Sequence, residues 1–317
     1  MKVLKKIFSF RETTLLLIVL IAVIAIGSLR PAFFSSINIF GILYSISVNA
    51  IILGAMTVLF ISGGFDMAVG SVLGLAGIIV ALLMKGGMSI PLAIIITLIC
   101  GIAMGAIMGY FISYLGINPF IVTMSGWFVY GALILLVAYG NVSGFPKSFG
   151  LLASYKILKV PVIIIFAILT VIIFEVLLRR NMFFRQSYYM GGNETAAQLV
   201  GIKVKKVKLI FYILTSFMAA VAGIFLTSRF QAAYSVAGSE NAFQIITAVI
   251  IGGASLKGGK GTVLGSFIAL IFVALLYNAL VLFKVDLYWN KVVIGLTLII
   301  AVFIDVTVER RTALMRA

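Results

Sequence analysis

Long apolar runs follow one another along almost the whole chain, separated by short polar segments. Ten runs are candidate membrane helices: 13–29, 38–62, 65–84, 91–115, 118–139, 161–178, 207–227, 242–254, 262–283 and 288–306. A helix that crosses the hydrocarbon core needs about 20 mostly apolar residues. The runs are continuous rather than alternating, which favours helices over the strands of a membrane barrel. The pattern therefore predicts an all-α polytopic membrane helix bundle of about ten transmembrane helices.

Three of these runs have open alternatives. The run 242–254 is short and ends in Gly252–Gly253, so it either crosses the membrane or re-enters it. Residues 38–47 either belong to the second span or lie along the interface before it. The first run follows Lys2, Lys5 and Lys6, an arrangement that a signal peptide also shows. Its apolar stretch is long for a signal, and the remaining spans need it to keep both termini on one side.

The composition agrees with a chain that faces lipid. Hydrophobic residues make up 63% of it, charged residues 10%, and the mean hydropathy is +1.28. A soluble domain carries roughly 25% charged residues. We therefore expect residues 1–317 to form a single transmembrane domain, with no nucleotide-binding domain of its own. Histidine is absent and Cys100 is the single cysteine, which argues against a metal site, haem or an iron–sulfur cluster.

The basic residues predict an orientation. The chain has 24 Lys and Arg against 8 Asp and Glu. With both termini in the cytoplasm, 16 cations lie in cytoplasmic segments. The other eight lie outside: Arg30, Lys85, Lys147, Lys156, Lys159, Arg229, Lys284 and Lys291. This bias follows the positive-inside rule, so it favours membrane loops over a nucleic-acid-binding surface.

The cytoplasmic loop 179–208 contains a segment that predicts a partner. Asn193 is a good helix N-cap, Glu194 complements the helix dipole, and Gly201 is placed to end the helix. The resulting helix of about two turns is marginal alone, yet Leu199, Val200 and Ile202 need cover. We expect it to dock onto another protein. The alternative is a linker turn whose cations contact anionic membrane lipid.

Two glycine pairs, Gly63–Gly64 and Gly252–Gly253, interrupt apolar runs, and the segment after each is similar: 70–74 and 261–265. Such paired interruptions point to a solute site at mid-membrane depth in transporters. Whether the two halves form a parallel or an inverted repeat stays open. The candidate residues of a solute pathway are Asn49, Ser62, Asp66, Gln244 and Thr247. Each also has a plainer interpretation as a bond between helices, and Asp66 as the cap of the helix restarting after it.

Small residues recur on one further helix. Gly101, Gly105 and Gly109 lie four residues apart, which predicts close helix packing. Glu175 and Arg179 have the spacing of an ion pair on a helix at the cytoplasmic end of their span.

Three motifs carry a family resemblance. They are Gly63 to Ser71, Gly191 to Ile202, and Gly252 to Gly261, in this order along the chain. Together they resemble the permeases of the ribose/xylose/arabinose family of ABC importers, from about residue 40 to 306. Phe65, Met67 and Ala68 depart from residues common in that family, which leaves the solute open.

The resemblance implies a bacterial inner-membrane permease subunit that carries a monosaccharide or similar small solute. Its partners would be a cytoplasmic ABC ATPase, an extracytoplasmic solute-binding protein and a second permease copy or homologue. The ATPase would use ATP and Mg, and this chain would bind no cofactor and catalyse no reaction. The residues implied in ATPase coupling are Gly192, Asn193, Glu194, Ala196, Ala197, Leu199 and Gly201.

Three other functions stay as alternatives. Related ABC permeases for branched-chain amino acids or nucleosides share parts of the glycine-rich motifs. A secondary transporter or channel also fits the hydropathy, although it has no use for a coupling helix. An intramembrane enzyme is disfavoured, because an aspartyl protease needs two facing aspartates and only Asp66 is expected at depth.

Overall fold

The computed structural model describes residues 10–286 and 288–314, and these residues are mostly helical. The helices are α1 Phe10–Leu29, α2 Ser36–Ile61, α3 Val69–Lys85, α4 Ile90–Ser113, α5 Pro119–Ala138, α6 Leu151–Ser154, α7 Val162–Arg180, α8 Met182–Gly192, α9 Glu194–Leu199, α10 Val204–Phe230, α11 Asn241–Ile251, α12 Val263–Leu282 and α13 Tyr288–Leu314. A two-residue hairpin, β1 Lys156–Ile157 and β2 Val160–Pro161, precedes α7.

Among the residues that the structure describes, seven helices are long and apolar enough to cross a membrane: α1, α2, α4, α5, α7, α10 and α12. The predicted all-α membrane bundle is thereby confirmed. α3 and α11 are apolar but shorter, with 17 and 11 residues. α2 is one continuous helix from Ser36, so residues 38–47 belong to the span rather than to a separate interfacial segment.

α2 forms the centre of the bundle. Every residue from Ile46 to Ile61 is buried, and α7, α10, α11 and α12 surround it. α4 and α5 lie at the periphery, where leucine, isoleucine and phenylalanine side chains are exposed along their outer faces. Such a surface suits a helix that faces lipid, because lipid tails, unlike water, do not drive apolar side chains into the protein interior.

The glycine stripe of α4 packs against α10. A Cβ atom at Gly105 would lie 2.7 Å from the Cβ of Ser216, and one at Gly101 would lie 2.6 Å from the Cβ of Ala220. The predicted close packing is therefore found within one protomer.

Both glycine pairs interrupt helices, as predicted. α2 ends at Ile61 and α3 begins at Val69, while α11 ends at Ile251 and α12 begins at Val263. The hydroxyl of Tyr212 on α10 holds the first interruption, with 3.2 Å to both the nitrogen and the oxygen of Phe65.

The run 242–254 forms a helix shorter than a crossing needs, which favours re-entry, one of the two alternatives left open for it. α11 has 11 residues, or about 16 Å at the α-helical rise. It begins opposite the midpoint of α2, where Asn241 bonds to Asn49. The connection 231–240 therefore descends into the bundle, and Gly238 packs against the backbone of Gly70 at the start of α3.

Candidate functional site

The loop between α7 and α10 has the local structure that its sequence predicts. The side chain of Asn193 accepts a 2.9 Å hydrogen bond from the nitrogen of Ala196 and so caps α9. Gly201 ends the segment with φ +86°, a conformation that glycine adopts without strain. Glu194 pairs with Lys208 at 2.8 Å, which ties α9 to the first turn of α10.

α9 is partly covered by the chain itself. Leu199 and Val200 are 84% and 75% exposed, and Ala196 is also exposed. Ala197 is 2% exposed and belongs to the hydrophobic core. Ile202 is half-buried against the same core, so the expectation that it lacks cover is wrong. Leu199 and Val200 form the exposed apolar edge of this loop, and Ala197 faces inward.

The three glycine-rich motifs meet at one place, here called the glycine crossing: Ile61–Gly63, Gly191–Gly192 and Gly258–Gly259. The nitrogen of Gly259 donates a 2.8 Å hydrogen bond to the oxygen of Ile61. A Cβ atom at Gly191 would overlap that same oxygen. A Cβ atom at Gly258 would lie 2.7 Å from the Cα of Gly191 and 2.9 Å from the nitrogen of Gly63. Both helix interruptions and the C-terminal end of α8 are thus in backbone contact at the same end of the bundle.

A tyrosine joins α8 to the second interruption. The hydroxyl of Tyr188 donates a 2.8 Å hydrogen bond to the carbonyl oxygen of Gly261. Burial raises the pKa of this phenol to about 12, so the hydroxyl keeps its proton and remains a donor at neutral pH.

Two acidic side chains hold the start of α12. Thr262 caps this helix by accepting from the nitrogen of Gly265 at 3.0 Å. Its hydroxyl donates to Glu12 of α1 at 2.6 Å. Glu175 of α7 accepts from the nitrogen of Leu264 at 2.9 Å and also pairs with Arg179. The predicted Glu175–Arg179 ion pair is confirmed, and the structure adds its second bond to α12.

Polar side chains line the contact between α2 and α11 at the middle of the bundle. The amide nitrogen of Asn49 donates to the oxygen of Gln244 at 2.7 Å. The amide nitrogen of Asn241 donates to the oxygen of Asn49 at 2.6 Å. The structure therefore brings together two of the predicted pathway residues, Asn49 and Gln244.

Of the other three pathway candidates, one lies on the same helix as Gln244 and two lie elsewhere. Thr247 is on α11, three residues after Gln244, and its buried hydroxyl has no partner among the described residues. Ser62 lies beside the glycine crossing and donates to Leu59 at 2.6 Å. Asp66 is fully buried, and one carboxyl oxygen accepts from the nitrogen of Ala68 at 2.8 Å. This bond fits the structural interpretation of Asp66 from the sequence, since it holds Ala68, the residue directly before the first residue of α3.

Asn241 was missed by sequence reasoning. Its signal was present, because Asn241, Gln244 and Thr247 are the polar residues of an otherwise apolar helix and recur every three residues. That spacing places them on one face of α11.

Comparison with known proteins finds permease components of transport systems. Residues 38–302 match the family model described as branched-chain amino acid transport system / permease component. The ribose import permease protein RbsC of Bacillus subtilis (strain 168) is 35% identical over 288 residues, 90% of this chain and 89% of the relative. RbsC of Escherichia coli (strain K12) is 32% identical, covering 93% of each chain. The autoinducer 2 import system permease protein LsrD of Salmonella paratyphi B is 31% identical, covering 92% and 90%. No solved structure matches the chain significantly.

Proposed function

The chain belongs to the family of branched-chain amino acid transport system permease components and is a multi-pass membrane transport subunit, and we propose that it is the permease of an ABC importer for a monosaccharide-like solute. The ribose and autoinducer 2 permeases among its relatives support this solute class over the amino acids of the family description. The chain would sit in a bacterial inner membrane, carry out no catalysis itself and bind no cofactor.

The glycine crossing is the observation that carries the proposal. An importer driven by a separate ATPase needs a rigid route from the ATPase-binding surface to the helices that gate the pathway. Here Gly191 and Gly192, the last two residues of α8, touch the backbone at Gly63 and at Gly258–Gly259. Because no side chains lie between them, a displacement of α8 would be transmitted directly to the end of α2 and to the connection before α12.

The partner ATPase would dock on the exposed edge of α9. Leu199 and Val200 are apolar, exposed and placed beside the glycine crossing. The coupling role assigned to Asn193 and Glu194 is then to shape α9 and to hold it on Lys208. ATP and Mg would be bound by the partner. Docking from the cytoplasm would put the crossing on the cytoplasmic side, and the bias of the basic residues supports a cytoplasmic position for both chain termini.

The opposite end of the bundle would receive the solute from an extracytoplasmic binding protein, and two permease copies or homologues would enclose the pathway. α7 connects the two ends, since it follows the hairpin 156–161 and leads into α8. This gives a matched pair of positions: Leu199 beside the crossing and Leu158 in the distant hairpin, which are 84% and 93% exposed.

The test is a pull-down combined with uptake. A tagged chain is purified from its host membranes with its associated ATPase and reconstituted into vesicles. Uptake of D-ribose, D-glucose and L-leucine is measured with Mg-ATP and with the extracytoplasmic binding proteins of the same host supplied on the solute side. We expect Leu199→Glu to abolish ATPase co-purification and sugar uptake, because a charge on the docking edge must be desolvated against the partner. Leu158→Glu should leave ATPase co-purification intact. Equal ATPase recovery with both variants would disprove docking at α9, and ATP-driven uptake of L-leucine alone would disprove the sugar assignment.

A further inference from the structure

A polar helix face lies in the middle of the bundle, away from the glycine crossing. α11 starts at mid-depth and presents Asn241, Gln244 and Thr247 along one face. Opposite them on α2 is Asn49, and Ser45 lies one turn earlier on that helix. We call these five residues the polar track. It runs from the distant half of α2 towards the glycine crossing, where α11 ends.

Hydrogen bonding inside the track is incomplete. Asn241 donates to Asn49, and Asn49 donates to Gln244. The oxygen of Asn241 and the amide nitrogen of Gln244 make no bond within the described residues, and the buried hydroxyl of Thr247 has no partner there. Buried polar groups in proteins are normally paired. The track therefore offers an acceptor, a donor and a hydroxyl along one face in the middle of the bundle.

The exposure of the track changes along its length. Ser45 is exposed, Asn241 and Gln244 are partly exposed, and Asn49 and Thr247 are buried. Beyond Thr247, residues Ala248 to Ile250 are also buried. The track is thus accessible from the end distant from the glycine crossing and closed towards it.

We propose that the polar track is the solute-binding passage and that it takes a neutral, hydroxyl-rich solute such as a monosaccharide. This inference rests on the proposed function and names its substrate-contacting residues. A sugar hydroxyl both donates and accepts, so it matches the unpaired oxygen of Asn241 and the unpaired nitrogen of Gln244. All five side chains are uncharged. Charged side chains flank the entrance, where Glu240 precedes Asn241 and Arg229 lies 4.2 Å from the ring of Tyr44.

The competing interpretation is that these amides only join two helices. The chain offers a control for it, because Asn38 of α2 and Asn278 of α12 form a reciprocal amide pair of 3.1 and 2.6 Å outside the track. If amide bonds between helices matter only for packing, losing either pair has the same consequence.

The experiment compares the two sets in vesicles that contain the permease with its ATPase and that are supplied with the host's extracytoplasmic binding proteins. Gln244→Leu, Asn241→Leu and Thr247→Val are compared with Asn38→Leu and Asn278→Leu, using uptake of D-ribose and D-glucose, basal ATP hydrolysis and the amount of folded permease. We expect each amide variant of the track to lower sugar uptake about tenfold, the equivalent of one hydrogen bond. Thr247→Val should slow uptake less. The control pair should retain both uptake and basal ATP hydrolysis.

Two outcomes would overturn the inference, and they are distinguishable. If the track variants import sugar as fast as the wild type, or if the control variants lose uptake to the same extent as the track variants, the track serves only helix packing. The proposed function would still stand. Wild-type vesicles that hydrolyse ATP but import neither sugar would overturn the proposed function and, with it, a track that serves a sugar.

Discussion

The backbone nitrogen of Gly259 donates a 2.8 Å hydrogen bond to the carbonyl oxygen of Ile61, although nearly two hundred residues separate them along the chain. Ile61 is the last residue of α2, and Gly259 lies in the connection between α11 and α12. Gly191 of α8 packs against the same two residues. The bond therefore joins both helix interruptions at the point where the end of α8 contacts them.

Gly191 and Gly192 provide a matched test of this crossing. A Cβ atom at Gly191 would overlap backbone atoms of Ile61 and Gly259, whereas one at Gly192 would have no heavy atom within 4 Å. Gly191→Ala should lower stability by about 1–3 kcal/mol, the usual effect of overpacking, and should reduce uptake. Gly192→Ala should be neutral or slightly stabilising, since alanine favours the helix. Thermal unfolding in detergent and vesicle uptake measure both. Equal behaviour of the two variants would contradict a backbone contact at Gly191.

Tyr188→Phe removes one bond of the crossing without changing its shape. The lost bond to Gly261 should lower stability by about 0.5–1.5 kcal/mol. The folded-state pKa of Tyr188 is raised from 10.0 to about 12. The contribution of this phenol is therefore fully present below about pH 10 and is lost as the pH rises through the folded-state value. The difference between wild type and variant should be constant from about pH 6 to pH 9, as measured by thermal unfolding across that range. A difference that vanishes near neutral pH would show that Tyr188 does not act as a neutral donor.

Much of the fold could be predicted because lipid leaves the backbone few choices. An apolar run long enough to span must be helical, so the bounds of α1, α2, α7 and α12 follow closely from hydropathy. The half-span α11 could not be separated from a full crossing, because the depth at which Asn241 lies depends on its bond to Asn49 of another helix.

The site was predictable in its parts and not in its assembly. Each glycine motif has a local signal, but nothing in the spacing says that Gly63, Gly191 and Gly258 touch. The inward face of α9 was equally hidden. A helix of six residues is too short for its periodicity to distinguish buried Ala197 from exposed Leu199.

Glu12 links α1 to the start of α12 through Thr262 at 2.6 Å, and its side chain is buried. Glu12→Gln keeps a side-chain oxygen that can accept from the hydroxyl of Thr262, so it should retain stability and uptake. Glu12→Leu removes the acceptor from a buried site, which typically costs about 1–3 kcal/mol. The midpoint of thermal unfolding in detergent is the measurement. If glutamine is as damaging as leucine, the bond to Thr262 is not what Glu12 contributes.

The proposed orientation predicts which positions a membrane-impermeant thiol reagent can reach. With Cys100 replaced by Ala, Lys156→Cys should react in intact cells, because it lies in the hairpin at the end of α7 distant from the glycine crossing. Lys206→Cys, at the start of α10 beside the crossing, should react only after permeabilisation. Labelling of both positions from the same side would contradict the topology.

Two substitutions of Asp66 can distinguish a structural role of this residue from a role in the solute pathway. One of its carboxyl oxygens caps the restart at Ala68, and the other has no partner among the described residues. A fully buried, unpaired carboxylate is costly in a low-dielectric interior, so a neutral side chain of the same shape should serve as well. We expect Asp66→Asn to retain uptake and unfolding temperature, because its oxygen can still accept from Ala68. Asp66→Leu should lose the cap, at about 0.5–2 kcal/mol, and lower the amount of folded permease. Uptake lost in Asp66→Asn with folded permease undiminished would instead assign the charge of Asp66 to transport.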